Sequence, residues 1–187
     1  MPAGTYKVVI QKGKETYTND LVVQYDPKSD ISLADRKLQE EATKKLFNMA
    51  EELAYMVYTL DEYVKISQGV KAKNAQGAKI ATPFIGELTT LKEKLVVTKG
   101  DNYVGAAEPQ LREKMAELYA KVADSYYKPN LAELSNLEAI ESRFNDGKVE
   151  FKKIKEKNLP KITGFQSKDG VMQPLILKTF EEFKREP

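Results

Sequence analysis

Apolar residues recur at alternating spacings of four and three in four separate stretches of this chain. Residues spaced in this way lie along one side of an α-helix. Such a line of apolar residues, here called a seam, is the contact surface that packed antiparallel helices bury. The sequence therefore predicts a mainly α-helical fold in which four seams share one core.

The longest repeat predicts a helix from about residue 32 to about residue 67. Ser32 is a suitable N-cap, and Asp35 stands three residues later, where an acidic side chain completes a cap. A second apolar stripe adjoins the seam, and a face of that width is expected to contact two neighbouring helices. The seam comprises Ala42, Leu46, Met49, Leu53, Met56, Leu60 and Tyr63, and the stripe comprises Phe47, Ala50, Ala54 and Val57.

Three further helices are predicted downstream. Thr82 and Pro83 are expected to begin the second, because proline at the first helical position gives up a hydrogen bond that a helix start never makes. Pro109 is expected to open the third, and Asn130 with Glu133 to cap the fourth. Their seams are, in order, Phe84, Leu88, Leu91 and Leu95; Leu111, Met115, Leu118 and Val122; and Leu134, Leu137, Ile140, Phe144, Gly147, Phe151 and Ile154.

Glycine, asparagine and proline mark the expected ends of these helices. Gly69, Asn74 and Gly77 predict a polar loop between the first two helices. Leu159-Pro160 is expected to end the fourth, because proline lacks the N–H that the helix needs. The tail, residues 161–187, is expected to pack back on the helices through Leu175, Ile176, Leu177, Phe180 and Phe183.

Asn145-Asp146-Gly147 ordinarily indicates a turn. Here the apolar phase crosses it without a break, so the segment is predicted to be helical, with Gly147 at a close approach between helices. Four helices with short connections predict an up-down-up-down four-helix bundle.

Residues 5–25 show the period-two alternation of a β-hairpin. Tyr6, Val8 and Ile10 alternate before a turn around Gly13, and Leu21, Val23 and Tyr25 alternate after it, until Asp26-Pro27 ends the strand. The predicted division is a hairpin at 1–27 and a helical bundle with its packed tail at 28–187.

Apolar residues are expected on both faces of this hairpin, with Val8 and Ile10 on one face and Val9 on the other. A hairpin at the outside of a complete fold should show one polar face. The hairpin is therefore predicted to be the remnant of a β-sandwich, with a second sheet on one side and helices on the other. Left uncovered, it should pair with another copy or be the most mobile part of the chain.

The chain contains neither cysteine nor histidine, which removes many kinds of site. Structural zinc, cysteine nucleophiles, Ser-His-Asp triads and di-iron bundles all require one of these residues. With 30 basic and 28 acidic residues, the net charge of +2 gives no case for nucleic-acid binding. The lysines at 152, 153, 155 and 157 alternate with Glu150 and Glu156 and indicate a solvated helix face. No apolar run is long enough for a membrane span, and the first residues lack the pattern of a signal peptide.

Glycoside hydrolysis needs only two carboxylates, so composition leaves it open. The acidic pairs lie off the apolar seams and are interpreted as solvated helix surface, and the helical tyrosines as core-edge residues whose hydroxyls reach water. Ser167-Lys168-Asp169-Gly170 resembles an Asp-box but lacks its spacing and its aromatic residue, and it is interpreted as a loop. The pairs are Glu40-Glu41, Glu51-Glu52, Asp61-Glu62 and Glu181-Glu182, and the tyrosines are Tyr55, Tyr58, Tyr63, Tyr119, Tyr126 and Tyr127.

The order of short motifs resembles the region after the β-propeller in sortilin-like, Asp-box (BNR) repeat, glycosyl-hydrolase-like proteins. The strand 4–10, the strand 16–23 and the Asp26-Pro27 corner before a long helix match that layout, as does Asn158-Leu159-Pro160 with Ile162. The resemblance implies a small β-sandwich followed by a helical end, in a protein found outside the cytoplasm. The propeller that would carry the Asp-boxes and any active site is absent from these residues, so no catalytic residue is transferred.

The sequence thus predicts a non-catalytic C-terminal structural or interaction module of a larger secreted glycosyl-hydrolase-like protein. Its expected partners are the β-sandwich and propeller of the parent chain, with self-association through the hairpin as a further option. No catalytic, cofactor-binding or metal-binding residue is predicted. An independent helical binding protein of unknown ligand, or an unrecognised enzyme, stays open as an alternative.

Overall fold

The computed structural model describes residues 3–100, 107–124, 127–169 and 176–184. Over these residues the chain is mainly helical, with a two-stranded antiparallel hairpin near its N-terminus, and this part of the prediction is confirmed. The strands are β1 (Gly4–Lys12) and β2 (Glu15–Val23). The helices are α1 (Leu33–Lys71), α2 (Ala75–Leu95), α3 (Leu111–Ala123), α4 (Leu131–Asp169) and the short α5 (Phe180–Lys184).

The predicted seams form the core. Every seam residue of the first three helices is buried, from Ala42 to Tyr63 in α1, from Phe84 to Leu95 in α2 and from Leu111 to Val122 in α3. In α4 the seam is buried at Leu137, Ile140, Phe144, Gly147 and Ile154, and partly buried at Leu134 and Phe151. The spacing of apolar residues therefore correctly predicted which face of each helix is buried.

The prediction that the second stripe on α1 contacts a neighbouring helix is wrong over most of the length of the stripe. Phe47 is 49% exposed, Ala50 and Ala54 are exposed, and only Val57 is partly buried. The reason is that α2, α3 and α4 all meet α1 along or beside its seam. The short α5 packs beside the stripe, on Tyr55 and Tyr58, and leaves Phe47, Ala50 and Ala54 exposed.

Ion pairs between helices show that α4 runs parallel to α1. Lys45 pairs with Glu141, and Glu52 pairs with Lys148 at 2.7 Å, so the two contacts keep the same separation of 96 residues. A constant separation along both helices requires that they run in the same direction.

Helix α2 runs against α1, and α3 ends beside the first turns of α1. Asp61 pairs with Lys92 near the end of α2, while Val70 lies against Gly77 near its start. Further along, the Gln39 side-chain amide donates to the Val122 carbonyl at the end of α3. The predicted up-down-up-down order is therefore wrong, because it requires α4 to run against α1 and the two helices are parallel.

Helix length explains this arrangement. Helices α1 and α4 each have 39 residues, which corresponds to about 58 Å at 1.5 Å per residue. Helix α2 has 21 residues and α3 has 13, so only the two placed end to end match such a length. One side of the long pair is thus covered by α2 and then by α3.

Two caps and one internal glycine are as predicted. The Ser32 hydroxyl accepts from the Asp35 amide at 3.1 Å, and Asn130 and Glu133 exchange side-chain and backbone hydrogen bonds, each of 2.9 Å. Helix α4 continues through Asn145-Asp146-Gly147. A Cβ built on Gly147 would lie 3.1 Å from the Leu95 side chain, which confirms the close approach predicted there.

The predicted boundary between α1 and α2 is wrong. Asn74 accepts from the Gly77 amide at 2.9 Å and starts α2 eight residues earlier than the predicted Pro83 start, so Gly77 lies inside the helix. Pro83 then sits within α2. The strong cap and the burial of Gly77 against α1 outweigh the hydrogen bond lost at the proline.

The predicted end of α4 at Leu159-Pro160 is also wrong, because the helix continues to Asp169. Ile162 is fully buried beyond the proline, and burial of that side chain stabilises the helical path. Residues 167–169, which the sequence analysis interpreted as a loop, therefore belong to α4. Gly170 lies outside the described residues.

The tail packs on α1 as predicted, though not through every residue. The Tyr55 hydroxyl donates to the Lys178 carbonyl at 2.8 Å, and Phe183 stacks on Tyr58 with ring centroids 5.2 Å apart. Phe180 lies 5.3 Å from Tyr55, and Leu177 is partly buried against the core. Ile176 is 81% exposed, contrary to the prediction, and Leu175 lies outside the described residues.

Candidate interaction surface

The hairpin register divides its side chains between two unlike faces. Directly opposed residues project to the same face of an antiparallel pair. Tyr6 pairs with Leu21, Val8 with Asn19 and Ile10 with Tyr17, and these pairs form one face. We call it the apolar face, and it comprises Tyr6, Val8, Ile10, Tyr17, Asn19 and Leu21.

The opposite face is largely polar. It carries Thr5 opposite Val22, Lys7 opposite Asp20, Val9 opposite Thr18, and Gln11 opposite Thr16. Its two valines are separated by the Lys7–Asp20 pair and form no continuous patch. The predicted placement of Val8 and Ile10 on one face and Val9 on the other is therefore confirmed, but the face that carries Val9 is mainly polar.

Sequence reasoning left open which cross-strand neighbours surround Val9, because it followed each strand separately. The signal was present in Lys12-Gly13-Lys14-Glu15. A two-residue loop with Gly13 at a φ of 62° pairs Lys12 with Glu15 and so fixes every later pair. The register, rather than the alternation within one strand, shows which residues share a face.

The apolar face lies open. Among the described residues, no Cα atom of either strand lies within 8 Å of a helix Cα atom. Val8 is 39% exposed, Ile10 60%, Tyr17 55% and Leu21 45%. A contiguous exposed apolar surface of this kind is a usual sign of an interaction site.

The tip of the hairpin is held by a local contact. The Tyr17 hydroxyl donates to the Glu15 carboxylate at 2.6 Å, and this hydrogen bond raises the pKa of Tyr17. The contact orients the Tyr17 ring along the edge of the apolar face and stays within β2.

Three carboxylates of the acidic pairs make contacts between helices. Glu52 pairs with Lys148, Asp61 with Lys92 and Glu51 with Lys184, while Glu182 caps α5 by accepting from the Thr179 amide. Glu40 accepts from a tyrosine hydroxyl in the linker after β2. Surface positions are confirmed for these carboxylates, and most have a cationic partner.

A separate carboxylate contact joins α2 to α4. Glu87 pairs with Lys157 and accepts from the side-chain amide of Asn158 at 2.9 Å. The lysine hydrogen bond, followed by the amide, lowers the pKa of Glu87. A carboxylate held ionised in this way stabilises the helix pair and is poorly suited to act as a general acid.

The tyrosines are divided between core and surface. Tyr55 and Tyr58 are half-buried, as core-edge residues should be, whereas Tyr63 is only 2% exposed and lies inside the core. Burial raises the pKa of Tyr63. Tyr119 and Tyr127 are exposed, and Tyr126 lies outside the described residues.

Other kinds of site find little support in the described part of the chain. No three histidine, cysteine or acidic residues there lie close enough together to hold a metal ion. None of the helices described is long and apolar enough to cross a membrane. The lysines at 152, 153, 155 and 157 are exposed on α4, and Lys152 and Lys157 face Glu156 and Glu87.

No family model, curated protein or solved structure matches this chain. The resemblance to sortilin-like, Asp-box repeat proteins is thus neither supported nor contradicted by relatives.

Proposed function

We propose that this chain is a non-catalytic interaction module in which a helical bundle presents the apolar face of a β-hairpin to a β-sheet of another domain. The observation that carries the proposal is the exposure of Val8, Ile10, Tyr17 and Leu21 on one face that none of the described helices covers. The four helices α1–α4 act together as the support, with α2 and α3 sharing one side of the long pair.

The chemistry of a hairpin favours a β-sheet as its partner. A two-stranded hairpin is marginal in water without a third strand or a packing layer. Its outer edges offer unpaired N–H and C=O groups, and added strands satisfy these by main-chain hydrogen bonding. One polar face and one apolar face are what an outer layer of a β-sandwich requires.

The resemblance supplies the parent for this module. We propose that the chain is the C-terminal part of a larger secreted, glycosyl-hydrolase-like protein with an Asp-box propeller, and that its hairpin completes a β-sandwich of that protein. An independent helical binding protein that docks a separate partner through the same face is the alternative. An upstream reading frame that encodes Asp-box repeats would favour the first.

Lysine substitutions on the two faces of the hairpin test the proposal. We expect the native chain to bind an apolar dye and to self-associate weakly at high concentration, because the apolar face is open. A Val8→Lys, Ile10→Lys variant should lose both properties. A Val9→Lys, Val22→Lys variant adds the same charge to the polar face and should retain them. Dye fluorescence and sedimentation velocity measure the two effects.

Helical melting supplies the control for that experiment. Since neither strand packs on a described helix, the free energy of unfolding of both variants should lie within about 0.5 kcal/mol of that of the native chain. Equal dye binding by the native chain and both variants would contradict the assignment of the apolar face.

We also expect no hydrolase activity. Glu51, Glu52, Asp61 and Glu87 pair with lysines of other helices and are therefore poorly placed to act as acid and nucleophile on a glycosidic bond. A screen of the purified chain against aryl glycosides and polysaccharides should give rates equal to a buffer blank. Activity that disappears when one particular Asp or Glu is replaced would show that the chain is an enzyme.

A further inference from the structure

Residues 24–32 join the hairpin to the bundle and contain a network of contacts centred on Tyr25. Tyr25 follows β2 by two residues. Its hydroxyl donates to the carboxylate of Glu40, and the Arg36 guanidinium lies over its ring at 5.3 Å from the centroid. Both partners belong to the first two turns of α1. The linker just after β2 is thus attached directly to the side of α1.

The same arginine also holds the linker. Arg36 donates to the Ser29 hydroxyl at 3.3 Å and to the Gln39 side-chain oxygen at 3.0 Å. Gln39 is only 5% exposed, and its amide donates to the Val122 carbonyl of α3 at 2.8 Å. The network therefore extends from the linker into buried structure, where a polar group is costly to move.

The linker itself is folded on its own backbone. The Ser29 amide donates to the Asp26 carbonyl at 3.0 Å, and the Lys28 amide donates to the Asp26 carboxylate at 2.9 Å. Pro27 fixes one further backbone dihedral in the same turn. Little of the segment between strand and helix is left free to act as a hinge.

We infer that Tyr25, Arg36 and Glu40 form a lock that holds the hairpin in one direction relative to the bundle. The inference rests on the proposed function for its purpose. A surface held in its bound orientation loses less conformational entropy on docking than one on a flexible tether. The lock lets the bundle set where the hairpin points.

Distances between two spin labels test the lock directly. The chain has no cysteine, so two introduced cysteines are unique labelling sites. We choose Lys14→Cys at the hairpin tip and Glu138→Cys at an exposed position of α4. The native chain should give one narrow distance distribution. Tyr25→Ala, which removes the ring and the hydroxyl, should broaden it by about twofold or more. Tyr25→Phe keeps the ring under Arg36 and should give an intermediate width.

A matched control removes a tyrosine hydroxyl elsewhere. Tyr17→Phe loses only the contact with Glu15 inside β2 and should leave the width unchanged. A native distribution as broad as that of Tyr25→Ala would overturn the lock. That failure would leave the dye-binding difference between the hairpin faces intact, so the two proposals fall separately.

Discussion

Replacing Gly77 with alanine should destabilise the folded chain by about 3 kcal/mol. Gly77 is buried in the first turn of α2, where a Cβ would lie 2.2 Å from the Val70 carbonyl oxygen and 3.2 Å from the Phe165 ring. The nearest atom is backbone and has no side-chain freedom to withdraw. Helices α1 and α2 would therefore have to separate at their shared turn. Urea denaturation followed by circular dichroism measures the change.

Gly86→Ala is the matched control, because it makes the same substitution in the same helix. Gly86 is exposed, and no atom lies within 4 Å of a Cβ built there. Alanine should stabilise α2 at that position by about 0.5–1 kcal/mol, since glycine is the weaker helix former. Opposite signs for the two variants would locate the effect in the helix contact. A Gly77→Ala variant as stable as the native chain would contradict the packing of α1 on α2.

Leu53→Asp should cost about 4 kcal/mol or more. Leu53 is 1% exposed in the middle of the α1 seam, so the substitution removes apolar packing and buries an unpaired charge. At a total stability of about 5–15 kcal/mol, such a loss unfolds a large fraction of the chain or brings it close to unfolding. Thermal melting by circular dichroism should show a large decrease in the midpoint.

Leu33→Asp introduces the same charge at the first residue of the same helix. Leu33 is 76% exposed, and a carboxylate there interacts favourably with the helix N-terminus. The free energy of unfolding of this variant should lie within about 0.5 kcal/mol of that of the native chain. If Leu53→Asp melted like Leu33→Asp, the seam of α1 would not be the core.

The sequence located the helical faces because burial and periodicity have the same physical cause. Leu53, Leu88 and Met115 are buried where the four-three spacing put them. The same periodicity did not predict the directions in which the helices run. Periodicity describes which side of a helix is apolar, and that side is the same whether the helix runs up or down.

Helix ends were harder to predict because tertiary contacts decide them. Pro160 is a local signal for an end, but the buried Ile162 lies two residues later and outweighs it. Pro83 is a good first helical residue, but the Asn74 cap starts α2 earlier. In both cases a contact distant in sequence overrides a local preference.

The candidate surface was found in part. Alternation predicted the strands, and the turn at Gly13 was placed correctly. The division into one apolar and one polar face followed only from the cross-strand pairing of Ile10 with Tyr17 and of Lys7 with Asp20. The lock at Tyr25 could not be predicted from the sequence. Arg36 and Glu40 come together only when α1 forms, because residues four apart are neighbours on a helix surface.

Amide hydrogen exchange in a proven monomer, at low protein concentration, tests most directly whether the hairpin needs an external partner. We expect the amides of Val8, Val9 and Ile10 to be weakly protected and to exchange through local opening of about 1–2 kcal/mol. The amides around Leu53 should exchange only through global unfolding. Protection of the hairpin amides equal to that of the Leu53 region would mean that the hairpin is complete without a partner, and it would contradict the proposed function.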